Sequence, residues 1–316
     1  MRRLLTAAAV ATVFAVVAPA SATVTDGLYL SMDARVPDSY SVSNPGQWND
    51  VSPNGRDGTI YGNVTLDAPT ESLVFDGTGF GTNYVDLDGA FDDFDSGLTI
   101  EFIGEFGAQT NVWERIFDFG NGDASDNVWV GRLEGTQELA LEVWLGASNQ
   151  GRCHTTTSQL ASRELAHWVI TVDDSLICRI YKDGVPQSTQ LQNGNGIDIG
   201  SPTLDGTVYP AFPRNIARAN NYVGRSNWIA DPDFEGSIQM IRIYNRALTE
   251  PEVVDNTTSA EDPTGGGGDN GGGENTESEP RSLADTGFDP IAGASVAALM
   301  LGAGVFLLRR RPRRSL

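Results

Sequence analysis

Pairs of carboxylates are the first residues whose type and spacing could support chemistry. Hydrolysis of a glycosidic bond uses two carboxyl groups facing one sugar, about 5 to 5.5 Å apart for retention and about 6.5 to 9.5 Å apart for inversion. On one face of a β-strand, residues i and i+2 lie about 6.6 Å apart and residues i and i+4 about 13 Å apart. The pairs in this sequence are Asp86 and Asp88 at i, i+2, and Glu101 with Glu105 and Glu138 with Glu142 at i, i+4.

None of these pairs predicts an active site on a single strand. Asp86 and Asp88 lie beside a turn in YVDLDG, and the other pairs are too far apart. His154 and His167 are the only histidines, and no serine stands in a nucleophile elbow, so a Ser-His-Asp triad has no motif behind it. We predict a domain without catalysis of its own, with acidic residues that meet across strands as the alternative.

Aromatic residues offer better material for binding. In LALEVWLG the apolar residues alternate, which places Trp144 on the opposite face together with Glu142. An aromatic ring on a polar face can stack on a sugar or enter a partner's pocket, and the alternative is a tryptophan that covers a second layer of core. Trp168 shares a face with Ile170 and Val172 and is predicted to lie in the core. The other binding candidates are Trp113, Trp129, Tyr222 and Trp228.

The loop DFGNGDASDN could hold a structural calcium ion. Calcium takes hard oxygen ligands, which this loop supplies in number. The spacing fits no strict calcium-loop signature, so a solvated turn is the alternative. The candidate ligands are Asp118, Asn121, Asp123 and Asp126.

Short apolar runs that must position these residues recur between clusters of Gly, Asn, Asp and Pro. They include LTIEFIGEF, NVWVGRL, HWVITV, LICRIYKDG and SIQMIRIY, and only LTEPEVVD has a helical pattern. Many short strands at this spacing, with the hairpin signal Asp183-Gly184, predict an all-β fold, an antiparallel β-sandwich or jelly roll.

The same segments resemble laminin G-like domains, which are concanavalin A-like jelly rolls. The resemblance rests on WNDVSPNGRDGTIYG, SLVFDGTGFGTNYVDLDG, RIFDFGNG and FEGSIQMIRIYNRALTEPEV, which occur in the family's order. It implies the fold but not one function, because this fold serves lectins, adhesins, glycosidases, lyases and spacers. The Glu-x-Asp-x-x-Glu cluster of laminarinase-type glycosidases is absent, and Gln239 and Met240 stand where similar domains often carry acidic residues.

The chain begins with the features of a secretory signal peptide over residues 1–22. Arg2 and Arg3 precede an apolar stretch that closes on Ala20-Ser21-Ala22, an A-x-A cleavage site, so the mature protein is predicted to begin at Thr23. A first transmembrane helix is the alternative, although its apolar core is short.

Export places the two cysteines, Cys153 and Cys178, in an oxidising compartment. A disulfide is therefore expected, and it would stabilise the fold by roughly 3 kcal/mol for a loop of this length. Two buried free thiols are the alternative, because the sequence does not show that the Cα atoms are close enough.

The C-terminus, residues 283–316, carries three features in order. Leu283-Ala284-Asp285-Thr286-Gly287 precedes an uncharged stretch over residues 290–308 and then five arginines. The stretch is long enough to span a membrane, and the arginines are expected on the cytoplasmic side. LADTG resembles the LPxTG-type sorting signal in the LAxTG form associated with class E sortases. The resemblance implies that a sortase cysteine attacks the carbonyl of Thr286, releases the membrane segment and transfers the chain to peptidoglycan.

Composition separates a domain from a tether and excludes one class of partner. Residues 23–255 form the predicted jelly-roll domain, and residues 256–282, which include PTGGGGDNGGGENTESEP, are predicted to be a disordered Gly/Asp/Glu-rich linker that spans the wall. Between the two predicted cleavage points lie 14 basic and 41 acidic residues, a net charge near −27. Such a surface repels phosphates, which excludes nucleic acid as a partner.

These features predict a secreted protein of a Gram-positive bacterium, covalently anchored to the cell wall, whose domain binds a carbohydrate or protein ligand without catalysis. A polysaccharide-acting hydrolase or lyase on the same fold is the first alternative, and a passive surface spacer is the second. A groove that holds Trp144 with paired carboxylates would favour the enzyme, an aromatic groove without such a pair the binder, and a flat charged face the spacer.

Overall fold

The structure, a computed structural model, describes residues 22–108, 111–209 and 213–260. Within these ranges no helix is long and apolar enough to span a membrane. Residues 1–21 of the predicted signal peptide lie outside the described residues, and so does everything after Ala260, including the sorting signal and the predicted membrane segment. Those assignments stay predictions.

Strands dominate the described residues, as the alternation of short apolar runs predicts. The strands are β1 (Leu28–Asp33), β2 (Gln47–Trp48), β3 (Gly58–Tyr61), β4 (Thr65–Asp67), β5 (Ser72–Asp76), β6 (Tyr84–Leu87), β7 (Leu98–Phe106), β8 (Arg115–Gly120), β9 (Val128–Arg132), β10 (Leu139–Leu145), β11 (Ser148–Thr155), β12 (Ala166–Val172), β13 (Ile177–Lys182), β14 (Val185–Pro186), β15 (Thr189–Gln192), β16 (Thr207–Val208), β17 (Asn220–Val223) and β18 (Glu235–Tyr244).

These strands form two antiparallel sheets. Sheet I has the order β14-β13-β12-β7-β18-β5-β4, with β1 also paired to β18 and β16 to β13. Sheet II has the order β15-β11-β10-β9-β8-β17-β6-β3-β2. The prediction of an all-β antiparallel sandwich is therefore confirmed.

One apolar core lies between the two sheets. In β10, Leu139, Leu141 and Val143 are completely buried in it, because side chains of a strand alternate between its two faces. Trp168 of β12 belongs to the same core and stacks on Phe102, with ring centroids 6.5 Å apart. The inward placement predicted for Trp168 is correct.

A disulfide joins the two sheets. Cys153 lies on β11 of sheet II and Cys178 on β13 of sheet I, with their Cα atoms 6.5 Å apart. Both residues are completely buried. The bond therefore crosses the core at the end of the sandwich where β11 and β15 form the edge of sheet II.

The only α-helix among the described residues, α1 (Glu250–Ala260), begins after Thr249 and carries Glu252 in its first turn. The backbone N–H and hydroxyl of Thr249 donate to the Glu252 carboxylate over 2.8 and 2.9 Å. Arg246 also contacts this carboxylate at 2.7 Å. The hydrogen bond from Arg246, with those from Thr249, lowers the pKa of Glu252 to about 2 although burial acts in the opposite direction.

Helix α1 continues beyond Asp255, where the sequence predicted the domain to end. Asn256 is completely buried, and its side chain donates to Glu101 over 2.7 Å and accepts from the backbone N–H of Val24 over 2.8 Å. Ala260 is buried against sheet I. Residues 256–260 therefore belong to the folded domain rather than to the linker, because Asn256 and Ala260 are both buried in it.

A buried polar network fixes α1 to the outer face of sheet I. Glu101 of β7 is completely buried and contacts Nε2 of His167 at 2.9 Å and Nη1 of Arg242 at 3.1 Å. Burial tends to raise the pKa of Glu101, but Arg242, His167 and Asn256 outweigh it and hold the pKa below its usual value. Nδ1 of His167 bonds the hydroxyl of Thr257 in α1 over 2.8 Å. His167 is therefore a structural residue.

Candidate ligand-binding site

The outer face of sheet II carries aromatic and charged residues in register. Facing residues in adjacent strands point to the same side of a sheet, so one register row defines a surface. In β8 and β10 the neighbours of this row, among them Phe117 and Leu141, point into the core. The row consists of Thr59, Asp86, Tyr222, Asp118, Trp129, Glu142, Arg152 and Gln192.

A cavity of about 200 Å³ opens on this face, and we call it the tryptophan pocket. It contains Trp144 and Glu142, the two residues that the alternation of β10 placed together on the outer face. The lining residues are Trp113, Arg115, Glu142, Trp144, Asn149, Arg152, Trp228 and Asp231.

The tryptophans form the walls and the base of this pocket. Trp144 and Trp228 lie with ring centroids 5.4 Å apart at 60°, and both are partly exposed. Trp129 is completely buried and meets Trp113 edge to face at 5.9 Å. Trp129 was predicted as a binding residue. This is wrong for direct contact, because the pocket residues cover its ring and it supports them from below.

Glu142 is the acceptor at the centre of the pocket. Its Oε1 accepts hydrogen bonds from the indole N–H groups of Trp144, over 2.7 Å, and Trp129, over 3.2 Å. Its Oε2 lies 2.6 Å from Nε of Arg152, but the angle is not that of a hydrogen bond. Glu142 therefore orients two rings while one of its oxygens keeps no hydrogen-bond partner among the described residues.

Arg152 is buried without its full set of hydrogen bonds. Only 6% of the residue is exposed, and its guanidinium lies 5.1 Å from the ring centroid of Trp113. Neither Nε nor Nη1 has a hydrogen-bond partner among the described residues. Buried guanidinium groups normally donate to several acceptors. Nε lies 2.6 Å from Oε2 of Glu142 and Nη1 lies 3.6 Å from Oε1 of Glu134, so ion pairs rather than hydrogen bonds hold these two atoms in the pocket wall.

A second guanidinium, that of Arg115, connects the pocket to the loop over residues 224–233. It lies between Trp129 and Trp228, 4.6 and 4.5 Å from their centroids. Its Nη1 contacts Asp118 at 2.6 Å, and its Nη2 contacts Asp231 at 2.8 Å. Burial raises the pKa of Asp231, and Arg115 acts in the opposite direction.

Tyr222, another of the predicted binding residues, lies outside the tryptophan pocket. It lies in a separate cluster on the same face, which we call the tyrosine patch: Tyr61, Tyr84, Tyr222 and Arg225. Tyr61 stacks on Tyr84 at 4.9 Å, and Tyr84 meets Tyr222 edge to face at 5.4 Å. The Arg225 guanidinium lies 4.6 Å from the centroid of Tyr84 and 4.4 Å from that of Tyr222.

Three of the four predicted calcium ligands have protein partners. Asp118 is completely buried, and its carboxylate contacts Arg115 and accepts from Asn127 and Asn227. A guanidinium thus takes the position that a metal would need. Asn121 bonds the backbone of a neighbouring loop, and Asp126 accepts from a backbone N–H. Among the described residues, no group of three or more His, Cys, Asp or Glu side chains could hold a metal ion.

The carboxylate pairs considered from the sequence serve other purposes or lie apart from the pocket. Glu101 is part of the network beneath α1. Glu138 contacts Nδ1 of His154 at 3.1 Å. Burial raises the pKa of Asp86, which lies beside the tyrosine patch and close to Arg225. Glu105 lines a separate cavity of about 330 Å³ on sheet I together with Asp67, Asp76 and Glu235. The two carboxylates of the tryptophan pocket, Glu142 and Asp231, come from different elements and were not paired from the sequence.

Two antiparallel sheets that enclose one core, with an aromatic pocket on the outer face of one sheet, define a lectin-like β-sandwich. The chain belongs to the concanavalin A-like lectin/glucanases superfamily, which it matches over residues 76–254. No curated protein matches the chain.

Solved structures share this fold at low identity. The binding domain of botulinum neurotoxin DC, solved in complex with rat synaptotagmin II, has a TM-score of 0.54 and 14% identity, over 75% of this chain and 52% of that one. The same domain in complex with SialylT has a TM-score of 0.53, 14% identity and the same coverage. The chain thus spans about half the length of these structures, and at this identity the likeness shows the fold alone.

Proposed function

We propose that the protein is a secreted surface protein, covalently anchored to the cell wall, whose tryptophan pocket binds a neutral carbohydrate. The observation that carries the proposal is the joint presence of three partly exposed tryptophans and two buried guanidinium groups beside carboxylates in one pocket. The domain itself carries out no catalysis in this proposal, because the carboxylates that share the pocket with Trp144 are paired with guanidinium groups, Glu142 with Arg152 and Asp231 with Arg115.

The chemistry of the pocket suits a sugar. The apolar faces of a sugar ring stack on indole rings, which Trp144 and Trp228 supply. Sugar hydroxyls both donate and accept hydrogen bonds. The carboxylate, guanidinium and amide groups that line the pocket supply acceptors and donors for both roles.

The charges of the pocket favour a neutral ligand over an acidic one. Arg115 and Arg152 are balanced by Glu142 and Asp231 inside the pocket, and Asp118 adds a further negative charge beneath it. The exported chain also has a net charge near −27. An anionic ligand would be repelled over a long range.

The wall anchor rests on the sequence features at both ends of the chain. Sortase cleavage after Thr286 joins its carbonyl to an amine of the peptidoglycan precursor, and residues 287–316 are released. We expect digestion of isolated cell walls to release a protein that begins at Thr23 and ends at Thr286 with an attached wall fragment. Intact-mass spectrometry checks this, and recovery of a chain that retains the arginine tail contradicts it.

Trp144→Ala is expected to weaken binding of neutral oligosaccharides about tenfold to a hundredfold, which corresponds to about 1.4 to 2.8 kcal/mol. The indole contributes stacking area that alanine cannot replace. The measurement is isothermal titration of the purified protein with the strongest neutral hits from an array of neutral and acidic glycans.

Trp144→Phe is the matched control, because it keeps an aromatic ring but loses the indole N–H that bonds Glu142. We expect it to retain binding within about threefold of the native value. Thermal unfolding of both variants shows that they are folded. Binding of acidic glycans alone, or binding that survives Trp144→Ala unchanged, contradicts the proposed site. If no glycan of the array binds, the proposed function is contradicted, and a protein ligand or a spacer role is favoured instead.

A polysaccharide hydrolase is the second candidate, favoured by the presence of Glu142 and Asp231 in one pocket and by the raised pKa of Asp231. A glycosidase of this kind needs one carboxyl group that stays protonated as the acid and one that is ionised. Incubation of each array hit with the native protein, Glu142→Gln and Asp231→Asn separates the candidates. New reducing ends that disappear in both variants establish the hydrolase, and intact ligand supports the binder.

A further inference from the structure

We propose that the ligand continues from the tryptophan pocket across the strands of sheet II to the tyrosine patch. The ligand is then a linear oligosaccharide of several units rather than a single terminal sugar. This inference rests on the proposed function and names the form of the ligand that the site recognises.

The size of the tryptophan pocket indicates that it holds only part of a ligand. Its volume is about 200 Å³, whereas pockets that enclose a whole small ligand measure roughly 300 to 1,000 Å³. A glycan of more than one or two units must therefore extend beyond it over the neighbouring surface.

The register of sheet II gives the direction and the distance. Tyr84 lies on β6 and Trp144 on β10, with β17, β8 and β9 between them. Strands lie about 4.8 Å apart, so the two aromatic residues are separated by about 19 Å across the sheet. Tyr222 lies directly opposite Asp118, whose other neighbour is Trp129 at the base of the pocket. The two clusters therefore lie on the same face of sheet II, and the loop over residues 224–233 covers Asp118 between them.

A single loop contributes to both clusters. Between β17 and β18, the loop places Arg225 in the tyrosine patch and Trp228 in the tryptophan pocket. Asp118 fixes this loop by accepting from the backbone N–H of Asn227 over 2.9 Å. Asp231 adds its contact with Arg115.

Asp233, completely buried at the end of the same loop, fixes the tyrosine patch from its other side. Its carboxylate accepts from the backbone N–H groups of Gly81, Thr82 and Asn83, at 2.6, 2.9 and 3.0 Å. The loop between β5 and β6 is thereby held beside Arg225. Both clusters are built before a ligand arrives, which lowers the entropy cost of binding a long chain.

The tyrosine patch has the groups that a sugar chain needs. Tyr61 is 44% exposed and offers one ring face, since the other face stacks on Tyr84. The hydroxyls of Tyr84 and Tyr222 are protonated at neutral pH and can donate, and burial raises their pKa values further. Arg225 makes no ion pair within 4.0 Å among the described residues. Its guanidinium edge is therefore available to sugar oxygens.

The test asks whether the affinity gained with a longer sugar chain depends on the tyrosine patch. The probes are dimers and hexamers of β-1,4-linked glucose, xylose, mannose and N-acetylglucosamine, titrated into the full-length exported protein. We expect at least one hexamer to bind about tenfold more tightly than its dimer. Arg225→Ala and Tyr61→Ala should remove most of this gain and change the dimer affinity less than about twofold, whereas Trp144→Ala weakens both lengths.

Arg179→Ala is the matched control, because it removes the same charge from β13 on the other sheet. It should leave the higher affinity for hexamers than for dimers unchanged. Thermal unfolding shows whether each variant is folded. Equal affinity for dimers and hexamers, or a gain that Arg225→Ala and Tyr61→Ala leave unchanged, overturns this inference and leaves the proposed function standing. Failure of all eight probes to bind overturns this inference, whereas the proposed function is decided separately by the glycan array.

Discussion

Glu101→Gln is expected to lower the free energy of unfolding by about 3 to 5 kcal/mol. The carboxylate is completely buried and forms an ion pair with Arg242, whose side chain is only 9% exposed. Glutamine keeps the shape but removes the charge, which leaves a buried guanidinium without its counter-ion. The bonds from His167 and Asn256 are also lost or weakened, so α1 is held less firmly.

Urea denaturation followed by tryptophan fluorescence measures this effect as a shift of the midpoint at unchanged slope. Glu250→Gln, at an exposed position of the same helix, is the matched control and should change stability by less than about 0.5 kcal/mol. The double variant Glu101→Gln, Arg242→Met tests the cause. If the loss comes from the unpaired guanidinium, most of it returns when that group is replaced by an apolar side chain. A loss below about 1 kcal/mol in Glu101→Gln would rule out this account.

The sequence predicted the inner half of the sandwich well because strand alternation has a period of two. In β10 the apolar residues mark the core face, and this alone places Trp144 and Glu142 outside. The same argument placed Trp168 inside. Local alternation is available to sequence reasoning because it needs no knowledge of which strands are neighbours.

The partners of Glu142 could not be predicted, because they depend on register. Leu145 faces Ser148 across the turn, and a regular hairpin would then set Glu142 opposite Gly151. A bulge between Val143 and Trp144 shifts the register by one residue and sets Glu142 opposite Arg152 instead. Such a shift moves a side chain to the other face of the sheet. The glycine at the bulged position, with φ of 123°, was the one local signal.

The other missed residues come from elements that meet only in the folded chain. Asp231 and Trp228 lie on a loop far along the sequence from Glu142, and Arg115 joins them at a second bulge, in β8. The calcium prediction for the acidic loop has the same limit. Asp118 has the right oxygen atoms, but its neighbour in space is a guanidinium. Composition cannot distinguish a carboxylate that awaits a metal from one that already has a cation.

Removal of the disulfide, by Cys153→Ala with Cys178→Ala, is expected to lower the free energy of unfolding by about 3 to 4 kcal/mol. The bond closes a loop with a sequence separation of 25, and closing a loop of that length limits the conformations of the unfolded chain. It also joins β11, next to the edge of sheet II, to sheet I. Loss of the bond is therefore expected to increase the rate of amide hydrogen exchange more in β11, which carries Cys153 and its neighbour Arg152, than in β8.

Denaturation of the native protein with and without reductant, beside the double variant, measures the loss in two independent ways. The reduced protein and the variant should agree within about 1 kcal/mol, because both lack the cross-link while the alanines leave only a small cavity. Equal stability of oxidised and reduced protein contradicts the prediction. If removal of the disulfide lowers stability only through the unfolded state, the folded variant still binds glycans. A simultaneous loss of binding would show instead that the cross-link holds Arg152 in position at the pocket.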